Sequence, residues 1–315
     1  MTDPVFLFPG QGSQYVGMGK TFFDAYASVR RLFEEASDVT GMNLARLCFE
    51  GPEPELIQTG NVQPAITLVD LACFEALREE GVTMAAAAGH SLGEYAALCA
   101  AGVFSFADAM RLVQRRGRAM QQAAERHPGS MVAVFGLDVD TLSSICGEIA
   151  VIGSVEVANQ NSPGQVALTG EKEALKRASE LAKQRGAKLT VPLKVSGAWH
   201  SRFMAEAQAP MREALDQVQL RSPSVPVIAN VSGRPHEDQP AAIRSALVDQ
   251  IVNPVLWARS MASLVESGHR VFVEVGPGKV LSGLMKDISR EAKAYMVQDV
   301  ETLAKFRAAR AELPA

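Results

Sequence analysis

Short all-apolar runs alternate along this chain with longer stretches whose apolar residues recur at every third or fourth position. That texture predicts buried strands and amphipathic helices. Val5 to Phe8 is the first run, and Pro9-Gly10 stops it, which predicts a strand in a parallel sheet covered on both faces. A helix is predicted over about 17–39, where Phe22, Phe23, Tyr26, Val29, Leu32 and Phe33 keep helical spacing. Another is predicted over 63–80, closed by Gly81. The small apolar run Met84 to Ala88 is a second strand, and a helix follows over about 106–124. Strands alternating with helices imply a layered α/β domain with a mostly parallel sheet.

From His127-Pro128-Gly129 the order of elements changes. Strands are predicted at 131–136, 155–158, 165–169 and 188–191, with helices at 140–149 and 171–184 and a turn at Asn161-Ser162-Pro163-Gly164. The order β-α-β-β-α-β within about seventy residues predicts a ferredoxin-like subdomain. It would span 128–197, inserted in a large domain made of 1–127 and 198–315. Beyond it, helices are predicted at 203–218, 241–251 and 255–266, then a strand at 271–275. Gly276-Pro277-Gly278 reads as a structural turn into another helix, and the tail after Val300 as a peripheral helix.

A chain of 315 residues, 47% hydrophobic, can bury a large core and form two domains. Its net charge of −4 argues against a nucleic-acid surface as its main business. Cys48, Cys73, Cys99 and Cys146 are widely spaced and form no Cys-x-x-Cys, so neither a zinc site nor a redox pair is expected. Buried free thiols in a reducing compartment are the simplest account. The N-terminus shows no basic and apolar leader, and no apolar run reaches membrane length. A cytoplasmic protein without membrane contact is the expectation.

The chemistry points to Gly89-His90-Ser91-Leu92-Gly93, directly after the Met84–Ala88 run and before the helix formers Glu94 to Leu98. Strand, G-x-S-x-G and helix together form a nucleophile elbow, with Ser91 beside free backbone N–H groups at a helix start. Such a serine needs a base, normally histidine. His90 should point away from Ser91, His127 and His236 fall in Pro-rich loops read as surface, and His269 precedes a strand. His200, in Ser196-Gly197-Ala198-Trp199-His200-Ser201 where the insert rejoins the large domain, remains. No aspartate between 91 and 200 stands out as a third member, which leaves a dyad with a carbonyl-oriented imidazole open.

On the 106–124 helix, Leu112, Arg116 and Met120 share one face, so Arg116 is expected to point inward. A buried guanidinium pairs with an internal acid such as Glu94 or awaits an anionic substrate; spacing alone leaves both open. The glycines of Pro9-Gly10-Gln11-Gly12-Ser13-Gln14 would let backbone approach the nucleophile and donate an N–H.

Seven segments in order resemble the malonyl-CoA:acyl carrier protein transacylase family, which includes the acyltransferase domains of fatty acid and polyketide synthases. They are Phe8–Gln14, Gly89–Leu98, Gln114–Gly117, Asn161–Gln165, Val195–Ser201, Gln250–Pro254 and Val273–Gly278. The resemblance implies an α/β-hydrolase-like large domain and malonyl transfer through a malonyl-serine to the phosphopantetheine thiol of acyl carrier protein. Ser91 would be the nucleophile, His200 its base, and Gln11 and Leu92 the oxyanion-hole donors. Arg116 would hold the malonyl carboxylate, and the backbone carbonyl of Gln250 would orient His200. Leu92 after the serine and Trp199 before the histidine resemble the malonyl-selecting form, though Trp199 replaces the usual Phe; Met120 would line the acyl site beside them. Malonyl-CoA and acyl carrier protein are the implied partners of a monomer with no metal or redox cofactor. Exposed Lys188, Lys194, Lys279 and Lys286 are candidates for docking an acidic carrier. Fatty acid synthesis is the expected setting; a stand-alone polyketide acyltransferase or an acyl-thioester hydrolase on the same serine are the alternatives.

Overall fold

The computed structural model describes residues 3–311; positions 1, 2 and 312–315, the ends of the expected large domain, lie outside the described residues. Among the described residues ten strands form, in chain order: β1 Val5–Phe8, β2 Ala86–Gly89, β3 Ser130–Phe135, β4 Val155–Ser162, β5 Gln165–Gly170, β6 Leu189–Pro192, β7 Val227–Ala229, β8 Arg234–Pro235, β9 Val271–Val275 and β10 Lys293–Val297. They make two sheets. The larger has the order β10-β9-β1-β2-β7-β8, parallel except for β8. The smaller, β4-β5-β3-β6, is antiparallel throughout, and its strands lie between residues 130 and 192. The two meet where Val255 and Asn159 form a bridge ahead of the helix Trp257–Glu266.

Composition explains the middle of the large sheet. β1 is all apolar and fully buried, and β2 is Ala-Ala-Ala-Gly, also buried, so helices pack close on it. The helices Thr59–Glu79 and Phe106–Arg126 touch where Gly117 faces Thr59: a Cβ there would stand 2.7 Å from the Thr59 carbonyl oxygen. Ser105 caps the second helix by accepting from Asp108 N–H. Its buried stripe includes Leu112, Val113, Arg116, Gly117 and Met120, while Arg111, Arg115 and Arg118 are exposed, as the spacing predicts.

Several expected elements differ. The helix expected over 17–39 is two, Lys20–Ala25 and Ala27–Thr40, because Tyr26 is extended. Arg30 Nη1 donates to the carbonyls of Phe23 and Asp24, which satisfies the end of the first helix. The helix expected from Gln63 begins at Thr59, ahead of Pro64, with the Gly60 N–H donated to Gln121 Oε1. The stretch 203–218 is a 3₁₀ turn, Arg202–Ala207, followed by the helix Gln208–Asp216. β7, β8 and β10 and the helices Leu44–Glu50 and Glu53–Leu56 were not among the expected elements: each is short, from two to seven residues. None of the described helices is long and apolar enough to cross a membrane.

The carboxyl ends of β1, β2, β7 and β9 gather on one edge of the sheet, where the loops Pro9–Gln14, His90–Leu92 and 230–233 and the turn at Gly276 converge. A buried acid lies beneath that turn. A Cβ on Gly276 would fall 2.0 Å from Asp70 Oδ1, and neither Asp70 oxygen has a described hydrogen-bond partner. Burial, and then the nearby Glu274 carboxylate, push the Asp70 carboxyl well above its usual 3.8. The folded state thus holds Asp70 neutral, and the stability this preserves is full below the unfolded pKa and lost as pH rises through the raised one. Asp70→Asn, which cannot ionise, should therefore flatten the fall in thermal midpoint as pH rises above the usual 3.8; parallel curves for variant and parent would refute this.

Candidate active site

β2 ends at Gly89 and the chain turns through Ser91 into the helix Gly93–Ala100. A Cβ on Gly89 would lie 1.9 Å from the Gly93 carbonyl carbon, and one on Gly93 would lie 2.0 Å from the Phe8 carbonyl oxygen. Only glycine fits at either position. Ser91 (φ 52°) and His200 (φ 58°) are the two described non-glycine residues with positive φ. A left-handed residue with a Cβ costs about 1–2 kcal/mol, so this backbone strain falls on two side chains that touch. Asn230, just past β7, holds the elbow: its Oδ1 accepts from Ser91 N–H at 2.6 Å and its Nδ2 donates to the Gly89 carbonyl at 2.7 Å.

Ser91 Oγ lies 2.7 Å from His200 Nε2. On the other side of the ring, Nδ1 lies 2.9 Å from the Gln250 carbonyl oxygen and 3.2 Å from that of Asn253. Carbonyl oxygens only accept, so Nδ1 carries the hydrogen and Nε2 is free to receive the serine proton. Burial, and next the positive Arg116, lower the His200 pKa from 6.5 to about 3, so the imidazole is neutral across the physiological range. His90 faces elsewhere, with Nε2 2.9 Å from Asn161 Oδ1 and its ring against Trp257.

Arg116 is 1% exposed, and its Nη2 lies 3.3 Å from Ser91 Oγ. Nη1 donates to Gln63 Oε1 and Nη2 to Gln250 Oε1, both at 2.9 Å, and its Cζ stands 5.6 Å from the centre of the Tyr95 ring. The close packing at Gly117 delivers Gln63 to it. None of these partners is charged. The Glu94 pairing left open by the spacing is indirect: Gln250 stands between, with Nε2 donating to Glu94 Oε2 at 2.7 Å and to the Ser91 carbonyl at 2.8 Å.

His236, expected on the surface, is a correction. The loop returns as β8 alongside β7, His236 N–H donates to the Val227 carbonyl, and the imidazole turns inward. Its side chain is 1% exposed, with Nε2 2.7 Å from Glu94 Oε1. Sequence reasoning also missed Asn230, Asn253 and Gln63. Asn230 alone left a signal, a polar residue ending an apolar run.

Gly10 lies against the elbow, where a Cβ would meet the His90 carbonyl at 2.4 Å and Leu92 N at 3.6 Å. Among the described residues the backbone N–H groups of Gln11 and Leu92 have no hydrogen-bond partner. Met120 is buried, its Sδ 3.6 Å from Gln63 Nε2. Trp199 is buried in the main core with its indole ring over Gly197, where a Cβ would come within 2.5 Å of it. Lys188, Lys194, Lys279 and Lys286 are exposed.

Residues 5–307 match the family described as the acyl transferase domain. The malonyl CoA-acyl carrier protein transacylase of Bacillus subtilis (strain 168) is 42% identical over 304 residues, 96% of either chain. The acyl-carrier-protein-S-malonyltransferase of Bartonella henselae is 41% identical with a TM-score of 0.93, over 98% of this chain and 99% of that one. A malonyl-transacylase solved in complex with a type II PKS acyl-carrier protein is 40% identical with a TM-score of 0.93, over 96% of this chain and 98% of that one.

With His200 held neutral, the reactivity of Ser91 toward a fluorophosphonate should stay level from about pH 5 to pH 8 instead of falling away below 6.5. His200→Ala should slow it about 10³-fold. A half-loss near pH 6.5 in the labelling rate would contradict the assignment.

Proposed function

Since the chain belongs to the acyl transferase domain family, we propose that it transfers malonyl from malonyl-CoA to the phosphopantetheine thiol of acyl carrier protein through a malonyl ester on Ser91. Relatives near 40% identity over almost the full length carry names for this activity, one of them solved with a type II PKS acyl-carrier protein. In this reading the chain supplies malonyl extender units for fatty acid biosynthesis as a cytoplasmic monomer. Its large domain is α/β-hydrolase-like, 1–127 and 198–315, with a ferredoxin-like subdomain at 128–197.

The observation that carries the reading is a buried, positive Arg116 with neutral partners, 3.3 Å from the Oγ of a serine already bonded to a neutral histidine. Ser91 Oγ attacks the thioester carbonyl while its proton passes to His200 Nε2. The tetrahedral oxyanion faces the N–H groups of Gln11 and Leu92. The C–S bond breaks, and His200 returns the proton to the departing CoA sulfur. The carrier thiol then gives its proton to His200 and attacks the Ser91 ester, and collapse returns the proton to Oγ. Every atom and charge balances without a metal or redox cofactor.

The free carboxylate of malonyl is held by Arg116. At an effective dielectric near 20, opposite charges 4 Å apart attract by about 4 kcal/mol before desolvation is counted. An acetyl group has nothing to set against that site. Pairing also cancels the charge that opposes protonation of His200, so the donor's carboxylate assists the base it will use. Trp199, before the histidine, and Met120, beside Gln63, are read as walls of the acyl site. The exposed lysines 188, 194, 279 and 286 are the candidates for meeting the acidic carrier.

Arg116→Ala should lower the malonyl-to-acetyl ratio of kcat/KM about 10- to 100-fold, the equivalent of about 1.5–3 kcal/mol. Equal losses with both donors would remove Arg116 from that role. Ser91→Ala should give no malonyl adduct by intact mass after incubation with malonyl-CoA; a persisting adduct would place the nucleophile elsewhere.

A further inference from the structure

Glu94 and His236 lie behind the reacting atoms and take no part in the proton transfer described above. Glu94 sits in the first turn of the helix after the elbow, and both side chains are 1% exposed. Buried pairs of this kind are often no more stabilising than apolar packing of the same size. Their contacts suggest another use. Glu94 Oε1 meets His236 Nε2 at 2.7 Å, while Oε2 accepts from Gln250 Nε2 at 2.7 Å and from Asn230 N–H at 3.3 Å.

The two ends of the Gln250 carboxamide do opposite work. Its nitrogen donates to Glu94 and to the Ser91 carbonyl, and its oxygen accepts from Arg116 Nη2. A flipped amide would set its oxygen against a carboxylate and a carbonyl, and its NH₂ against a guanidinium. A carboxylate cannot donate, so Glu94 permits one orientation only.

We propose that Glu94, held by His236, is a positioning residue for donor selection: it fixes the orientation of the Gln250 carboxamide and through it aims Arg116 at the acyl group on Ser91. The arrangement keeps the negative charge one carboxamide away from the guanidinium. A carboxylate in direct contact would occupy Arg116 and compete with the acyl carboxylate, whereas a neutral amide orients it and leaves its charge available. Main-chain atoms of the same Gln250 orient His200, so one residue serves both halves of the site. The inference rests on reading Arg116 as the malonyl anchor.

Glu94→Gln is isosteric but can offer either end of its own amide, so it allows Gln250 to flip. Single-turnover loading of Ser91 from malonyl-CoA and from acetyl-CoA, read by intact mass, gives the donor ratio, and thermal melts follow folding. Glu94→Gln should lower the malonyl-to-acetyl ratio about tenfold, and should change it no further in an Arg116→Ala background. His236→Phe, which removes the donor to Oε1, should shift the ratio the same way, and His236→Gln, which keeps an N–H, should restore it. If the parent loads malonyl but Glu94→Gln leaves the ratio unchanged, or lowers both donors equally, this inference falls alone. A parent that loads no malonyl overturns the reading of Arg116 and the inference with it.

Discussion

A full positive charge is buried beside the nucleophile with only neutral oxygens as direct partners, and much of the site follows from that constraint. An unpaired guanidinium in a low-dielectric interior is strongly unfavourable, so the fold has to supply acceptors without neutralising it. Gln63 and Gln250 do this at the two terminal nitrogens, each offering a carboxamide oxygen at 2.9 Å. Gln63 reaches its place because Gly117 lets two long helices touch. Gln250 reaches its place because Glu94 takes the other end of its amide. The negative charge that balances the site is present, but at one remove.

The same charge shapes the base. Arg116 adds to burial in keeping His200 neutral, and two main-chain carbonyls take the position that an aspartate holds in a hydrolase triad. Carbonyl dipoles orient the ring while stabilising the imidazolium less than a carboxylate would. In the proposed reaction, catalysis gains from a substrate that brings its own negative charge to Arg116. Selectivity and reactivity would then be two consequences of one electrostatic arrangement. Strain is spent in the same place, since Ser91 and His200 both adopt left-handed backbone, and at Ser91 the tight packing of Gly89 and Gly93 and the Asn230 hydrogen bonds hold it.

Elements with a strong local signal were legible from the sequence. The elbow could be read because its glycines, serine and flanking apolar runs are contiguous, and Arg116 because helical spacing puts it on the buried face. The β-α-β-β-α-β order of the small sheet was legible for the same reason. Elements resting on long-range contacts were not. β7 has three residues, and its partner β8 carries His236 inward by pairing that no local pattern encodes. Whether Arg116 meets Glu94 directly was undecidable from spacing, since the intervening carboxamide lies 134 residues away from the arginine. Periodicity reports which face is buried; it is silent about which distant polar group waits there.

The central claim is that Ser91 carries a malonyl group whose free carboxylate is held by Arg116. A crystal structure of the acyl-enzyme, trapped after exposure to malonyl-CoA, tests it most directly. The expected result is an ester on Ser91 Oγ, its carbonyl oxygen facing the N–H groups of Gln11 and Leu92, and its carboxylate within about 3.2 Å of guanidinium nitrogens of Arg116. An acyl group on another residue, or a carboxylate turned to solvent with Arg116 still bound only to Gln63 and Gln250, would contradict it.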